Sequence, residues 1–191
     1  NNDGHTDLYL SRLGEPNLLF RNDGPGAEHW TFTEVGQQAG VRAPLNSFPT
    51  WFWDYNNDGH LDLFVSGFGP GYVVDLAPVV AEYLGQEPRR VPPRLYRNDG
   101  NGHFSDVTET VHLDRVLYGM GANYGDVNSD GWPDIYVGTG GPHFTSLIPN
   151  RLFRNAGGRE FQDVTAAARV GHLGKGHGVS FGDVDRDGDL D

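Results

Sequence analysis

The stretch Asp54-Tyr55-Asn56-Asn57-Asp58-Gly59-His60-Leu61-Asp62 carries oxygen side chains at its first, third, fifth and ninth places, with glycine sixth. A hard divalent cation such as calcium takes about six to eight oxygens converging from several directions. A short loop supplies them only if alternate side chains turn inward and the chain bends sharply. Gly59 permits that bend, because glycine tolerates backbone angles closed to other residues. The expected ligands are the side chains of Asp54, Asn56, Asp58 and Asp62 with the backbone carbonyl of His60.

The pattern returns twice more in full. One copy offers Asp126, Asn128, Asp130, Asp134 and the carbonyl of Trp132; another offers Asp183, Asp185, Asp187, Asp191 and the carbonyl of Asp189. The chain opens inside a further copy, which keeps Asn1, Asp3, Asp7 and the carbonyl of His5 but lacks the first-place ligand. Up to four calcium sites are expected. Magnesium suits them less, since it keeps waters and a stricter octahedron. An EF-hand would need a glutamate at its twelfth place, where this chain has Val65 and Val137. A loop that fills the coordination shell leaves no open position for catalysis. With four carboxylate side chains the last loop is expected to bind most tightly, and the incomplete first loop least.

Each loop runs into a strand that is apolar on both faces: Leu8-Tyr9-Leu10, Leu63-Phe64-Val65 and Ile135-Tyr136-Val137. Sheets of that kind are covered on both sides. A second unit follows: Asn17 to Gly24, Arg94 to Gly100 and Asn150 to Gly157, where Asn-Asp-Gly or its variant signals a hairpin turn with positive backbone angles. Return strands begin at Phe32, Phe104 and Phe161. The repeated Arg21, Arg97 and Arg154 are expected to brace these hairpins. Four-stranded units apolar on both faces stack around an axis as propeller blades, and Gly119, Gly121, Gly176 and Gly178 suit close packing there. The expected fold is therefore all-β. Residues 1–35 form an incomplete blade, 46–108 a blade with an insertion at 69–93, 119–165 a blade, and 176–191 the start of the next. In the insertion, Asp75 should cap a short helix that buries Leu76, Val79, Val80, Tyr83 and Leu84 and stops at Gly85, with Arg89 and Arg90 in solvent.

The formal net charge of −12 argues against a nucleic-acid partner. Thirteen of the 26 acidic residues lie in the four loops, so bound cations would neutralise most of the excess. There is no cysteine, and no apolar run has the length of a membrane span.

The paired motifs, Asp-x-Asn/Asp-x-Asp-Gly-x-x-Asp with Asn-x-Leu-Phe/Tyr-Arg-Asn and Phe-x-Asp-Val-Thr, resemble the FG-GAP/VCBS repeats of integrin-alpha-type β-propellers. The run from Met120 to Asp191 is most similar to the cartilage-acidic-protein/UnbV branch. The resemblance covers essentially the whole chain, about half of such a ring. It implies calcium in the loop between two strands of a blade and a secreted or cell-surface setting. It implies no reaction, since fold sharing alone never does.

Three functions follow as expectations. The first is a non-enzymatic calcium-binding module for adhesion or assembly, with a protein or glycan ligand, or self-association through open sheet edges into fibres. The second is a calcium-dependent lectin stacking sugars on Trp51, Trp53, Tyr72, Tyr118 or Trp132. The third is an accessory domain of a hydrolase. His143, His172 and His177 with Lys175 form no legible triad, and Gly174-Lys175-Gly176 lacks the spacing of a phosphate loop.

Overall fold

The computed structural model describes residues 1–26, 29–69, 74–88, 91–141 and 147–191. The first sheet has three strands, β1 (Leu8–Leu10), β2 (Leu18–Pro25) and β3 (Trp30–Glu34), and is followed by a single-turn helix α1 (Gly36–Ala39). The second sheet takes β4 (Ser47–Trp53) and β5 (Asp62–Gly67), then, after the helix α2 (Leu76–Tyr83), β6 (Arg94–Asn98) and β7 (Phe104–Asp106). The third comprises β8 (Gly119–Gly125), β9 (Asp134–Thr139), β11 (Arg151–Asn155) and β12 (Phe161–Asp163). A short β10 (Ile148–Pro149) precedes β11; the single turn α3 (Thr165–Ala168) and β13 (Leu173–Gly174) follow β12, and β10 pairs with β13. In the three larger sheets every pairing is antiparallel between neighbours in the chain or across a short excursion, so each of these is a meander.

Sheets face one another through apolar layers. Tyr9 and Leu19 of the first meet Leu63, Val65 and Tyr96 of the second. On the other side of that sheet Phe64 and Leu95 meet Ile135, Val137 and Phe153 of the third, joined by Trp53, Val111, Leu113 and Phe161. Alternation along β5 thus sends successive residues into different cores, and all six are buried. In β1 the expectation of two covered faces fails: Tyr9 is buried while Leu8 and Leu10 are 50% and 42% exposed.

The Phe-x-Asp-Val-Thr segment closes the second and third units by hydrogen bonds. Asp106 accepts from the Thr108 N–H at 3.1 Å, and the Thr108 hydroxyl accepts from the Leu95 N–H at 3.0 Å. Asp163, Thr165 and Leu152 repeat this at 3.1 and 2.9 Å. The single turns α1 and α3, which periodicity over four residues does not signal, follow the equivalent segments. Glycines at the tight approaches behave as expected at Gly119, Gly121 and Gly176, where a Cβ would lie 2.1 Å from Ser66 Oγ, 2.2 Å from the His177 carbonyl oxygen and 3.0 Å from the Gly138 Cα. Gly178 instead faces open space.

Helix α2 is capped by Asp75, whose carboxylate accepts from the Ala77 N–H at 2.9 Å, and Gly85 leaves it in the left-handed region at φ 68°. Its apolar face is smaller than the sequence suggests: only Val79 is buried, against Val116, Tyr118 and Ile148, while Leu76, Val80, Tyr83 and Leu84 are exposed. What pins the helix is charge. Glu82 accepts from buried Arg151 at 2.7 Å and from the Val116 N–H at 2.6 Å. Arg89 and Arg90 lie outside the described residues. No described helix is long and apolar enough to cross a membrane.

Candidate functional site

The acidic loops share one hydrogen-bond pattern. In the second, the Asp54 carboxylate accepts from the N–H groups of Asp58 (3.1 Å) and Gly59 (2.8 Å), Asn56 Oδ1 accepts from Asp58 (3.2 Å), and Asp58 Oδ1 accepts from His60 (2.9 Å). The third repeats these with Asp126, Asn128 and Asp130 at 3.0, 2.8, 3.3 and 3.0 Å. The fourth does so with Asp183, Asp185 and Asp187 at 3.1, 3.2, 3.2 and 3.2 Å. The first keeps what its residues allow: Asp3 Oδ1 accepts from His5 at 2.8 Å and Asn1 Oδ1 from Asp3 at 3.4 Å. Two residues per loop are left-handed: the sixth-place glycine and the fourth-place Asn2, Asn57, Ser129 or Arg186, at φ 59°, 54°, 56° and 65°. The sequence pointed only to the glycine.

The ninth-place aspartate is held differently. Asp62 is fully buried at the start of β5 and accepts from the Tyr55 N–H at 3.2 Å and the Asn98 N–H at 2.8 Å. Asp134 is its counterpart, with Val127 at 3.1 Å and Asn155 at 2.7 Å. Asp7 accepts from Asn22 at 2.8 Å. Burial pushes the Asp62 carboxyl up to about 7 against the two N–H donors, and Asp58 and Asp54 raise it further. Burial also raises Asp134, with Asp130 and Asp126 adding to it. Each of these sites is a buried carboxylate next to other carboxylates, an arrangement that a cation relieves.

Asn22, Asn98 and Asn155 are the residues that sequence reasoning misassigned. Their expected role was a positive backbone angle in the hairpin turn, but glycines alone take it there, at Gly24, Gly100, Gly157 and Gly158. The asparagines instead clamp the acidic loop. Besides the N–H bonds above, their side chains donate to the carbonyls of Thr6 (3.1 Å), Leu61 (3.0 Å) and Pro133 (3.2 Å). Their recurrence directly after Arg21, Arg97 and Arg154, five residues beyond Asn17, Pro93 and Asn150, was the available signal.

The donor set suits a hard cation, since every inward group is an oxygen or an amide that can present one. Asn56 Nδ2 donates to Asp58 Oδ2 at 2.8 Å and Asn128 Nδ2 to Asp130 Oδ2 at 2.9 Å, so a partial positive charge already stands against each fifth-place carboxylate. In the fourth loop Asp185 stands in the asparagine's third place. Carboxylate oxygens of Asp183, Asp185 and Asp187 lie within 4.8 Å of one another, the closest grouping of three among the described residues. A hydrogen bond and charge from Asp187 raise the Asp189 carboxyl.

The FG-GAP-like repeat profile matches residues 1–65 and 79–137. The chain belongs to the FG-GAP-like repeat family. None of the curated proteins matches it.

Other residues singled out in this FG-GAP-like chain make packing or hydrogen-bond contacts where they are described. The seventh-place rings cover the turn glycine of their own unit: a Cβ at Gly24, Gly100 or Gly158 would lie 2.6 Å from His5, 3.1 Å from His60 or 2.8 Å from Trp132. Trp53 and Tyr118 are buried, and Trp51 stacks on Phe64 at 4.5 Å and Tyr124 at 6.0 Å. Tyr72 and His143 lie outside the described residues. His177 Nδ1 sits 3.2 Å from the Lys175 carbonyl oxygen, and Lys175 donates to the Gly141 carbonyl at 2.6 Å. The arginines brace the hairpins: Arg21 reaches Asp23 at 2.6 Å and Arg97 reaches Asp99 at 3.1 Å, while Arg154, with Ala156 in the aspartate's place, turns to Gln162 at 2.5 Å. A cavity of about 760 Å³ opens between the first two sheets beside Phe104. Between the second and third sheets Trp53 and Tyr55 stand at that level, 6.0 and 6.2 Å from Phe161, the repeat counterpart of Phe104.

Proposed function

We propose that this chain is a calcium-stabilised, non-enzymatic module of an extracellular or periplasmic protein, its sheets serving as β-propeller blades that display loops to a protein or glycan partner. The observation that carries the reading is the loop bond pattern, repeated in full in three loops and in part in the first, with Asp62 and Asp134 buried behind loops two and three and three carboxylates grouped in loop four. A cation there neutralises carboxylates that otherwise repel, and ties the second strand of a blade to the turn of the third. The loops give the ion a full set of protein oxygens, which favours a structural over a catalytic role.

Repeat equivalence supports the blade reading. Leu63 and Val65 are covered by the first sheet, whereas their counterparts Leu8 and Leu10 are exposed beside Trp30 and Phe32, 58% and 47% exposed. A further sheet of the same kind fits that face, whether from the same polypeptide or from another copy. The sequence likeness to integrin-alpha-type propellers and to the UnbV branch accords with this. The lectin reading is weaker, because Trp53 and Tyr118 are buried and Trp51 is stacked on Phe64.

The test is thermal unfolding with calcium and with chelator. Calcium at a hundred times its dissociation constant should add about 3 kcal/mol for each linked site. A melting temperature indifferent to chelator would overturn the proposal.

A further inference from the structure

Resting on the calcium reading, we propose that the acidic loops are not independent sites: the fourth-place asparagine of one loop sets the next loop's ligand geometry, so calcium loads loops one to three cooperatively. Asn57 Nδ2 donates to the Gly131 carbonyl at 3.0 Å, and the N–H of that same peptide group, on Trp132, donates to Asp130 Oδ1 at 3.0 Å. One unit earlier, Asn2 Nδ2 donates to the Gly59 carbonyl at 3.3 Å, and the His60 N–H of that peptide donates to Asp58 Oδ1 at 2.9 Å. Asn2 also lies 2.9 Å from His60 Nδ1.

The chain of bonds therefore runs from a side chain in one loop, through a single peptide plane, to the fifth-place carboxylate of the next. A donor at the carbonyl polarises the peptide and strengthens its N–H bond, and it fixes the plane whose neighbouring carbonyl, on the seventh residue, is the backbone ligand. The asparagine is itself placed by its own loop. It is left-handed and stands between the third- and fifth-place ligands that a cation draws together. Ordering one loop thus orders the next. Ser129 holds the same place and backbone angle in loop three, but among the described residues it makes no bond to loop four. The relay ends there, and loop four binds alone.

Ser129 also shows that serine is tolerated at this place, which makes Asn57→Ser the informative variant. Calcium would be titrated calorimetrically into the whole chain as wild type, Asn57→Ser, Asp130→Ala and the double variant. Loss of one neutral hydrogen bond should weaken one class of sites about fivefold in Asn57→Ser. That loss should vanish in the Asp130→Ala background, and the tightest class, assigned to loop four, should not move. Asn2→Ser should weaken loop two in the same way, giving a second reading if Asn57→Ser does not fold. Superposable isotherms for Asn57→Ser and wild type, or an equal loss with Asp130→Ala present, would overturn the coupling alone. Absence of calcium uptake by the wild type would overturn the calcium reading as well.

Discussion

Loops two and four have the same nine-residue plan and the same internal bonds, yet they stand in different surroundings. Behind loop two, Asp62 is fully buried, takes two N–H bonds and is clamped by Asn98 from the neighbouring strand. In loop four the equivalent Asp191 is exposed and accepts from Val184 at 2.9 Å. Local sequence makes the bend in both. In loop two the sheet turns the last ligand into a buried charge, so that loop's stability depends on what neutralises it. Loop four concentrates its charge differently, with three exposed carboxylates crowded together.

The strongest way to break this comparison is to remove the ninth-place carboxylate from each. In chelator, Asp62→Ala should cost about 2–4 kcal/mol, because the N–H groups of Tyr55 and Asn98 lose their acceptor inside the protein. Asp191→Ala should cost less than about 0.5 kcal/mol, as exposed substitutions usually do. Urea unfolding measures both, and equal losses would mean that burial behind loop two has no energetic weight.

A pH series sharpens the same contrast. In the cation-free protein the Asp62 carboxyl titrates near 7 rather than at its ordinary 3.8. Between those values the folded chain keeps a proton that the unfolded chain releases, so stability falls as pH rises from about 4 to about 7 and then levels. The urea midpoint in chelator should show that slope, Asp62→Asn should reduce it to what Asp134 contributes, and calcium should offset it at pH 7 and above. A cation-free midpoint that rises over this range would contradict the assignment.

A smaller effect than that of Asp62→Ala is expected from Asp185→Asn, which gives loop four the third-place amide of loops two and three. Calcium binding there should weaken on the order of tenfold through the lost ligand charge. In chelator the variant should be slightly more stable, since it thins the crowd around Asp183 and Asp187. Calorimetric titration tests the first point, and tighter binding by the variant would reverse the expected order of the loops.

Much of the fold was legible because its signals are local. The bends of the acidic loops, the turn glycines and the Asp75 cap each depend on bonds between residues a few places apart, and those bends and bonds are present. Misreadings arose where a neighbouring unit decides. The helix α2 forms where its cap and stop predict, but its apolar stripe is mostly exposed because Glu82 anchors it to Arg151. Trp53 and Tyr118 read as free aromatic faces and are core residues. Asn22, Asn98 and Asn155 read as turn formers and are clamps, since the carboxylate that they hold comes from another strand.

The order of residues by itself determined that this chain makes acidic bends with glycine at the sixth place, each followed by an apolar strand and a hairpin. Backbone angles and side-chain bonds over a few residues follow from local chemistry. Tertiary structure alone decided which of those carboxylates lose water, which asparagine reaches the next loop, and which sheet faces are covered. Those outcomes depend on the neighbouring sheet, and distance through space rather than along the chain sets them.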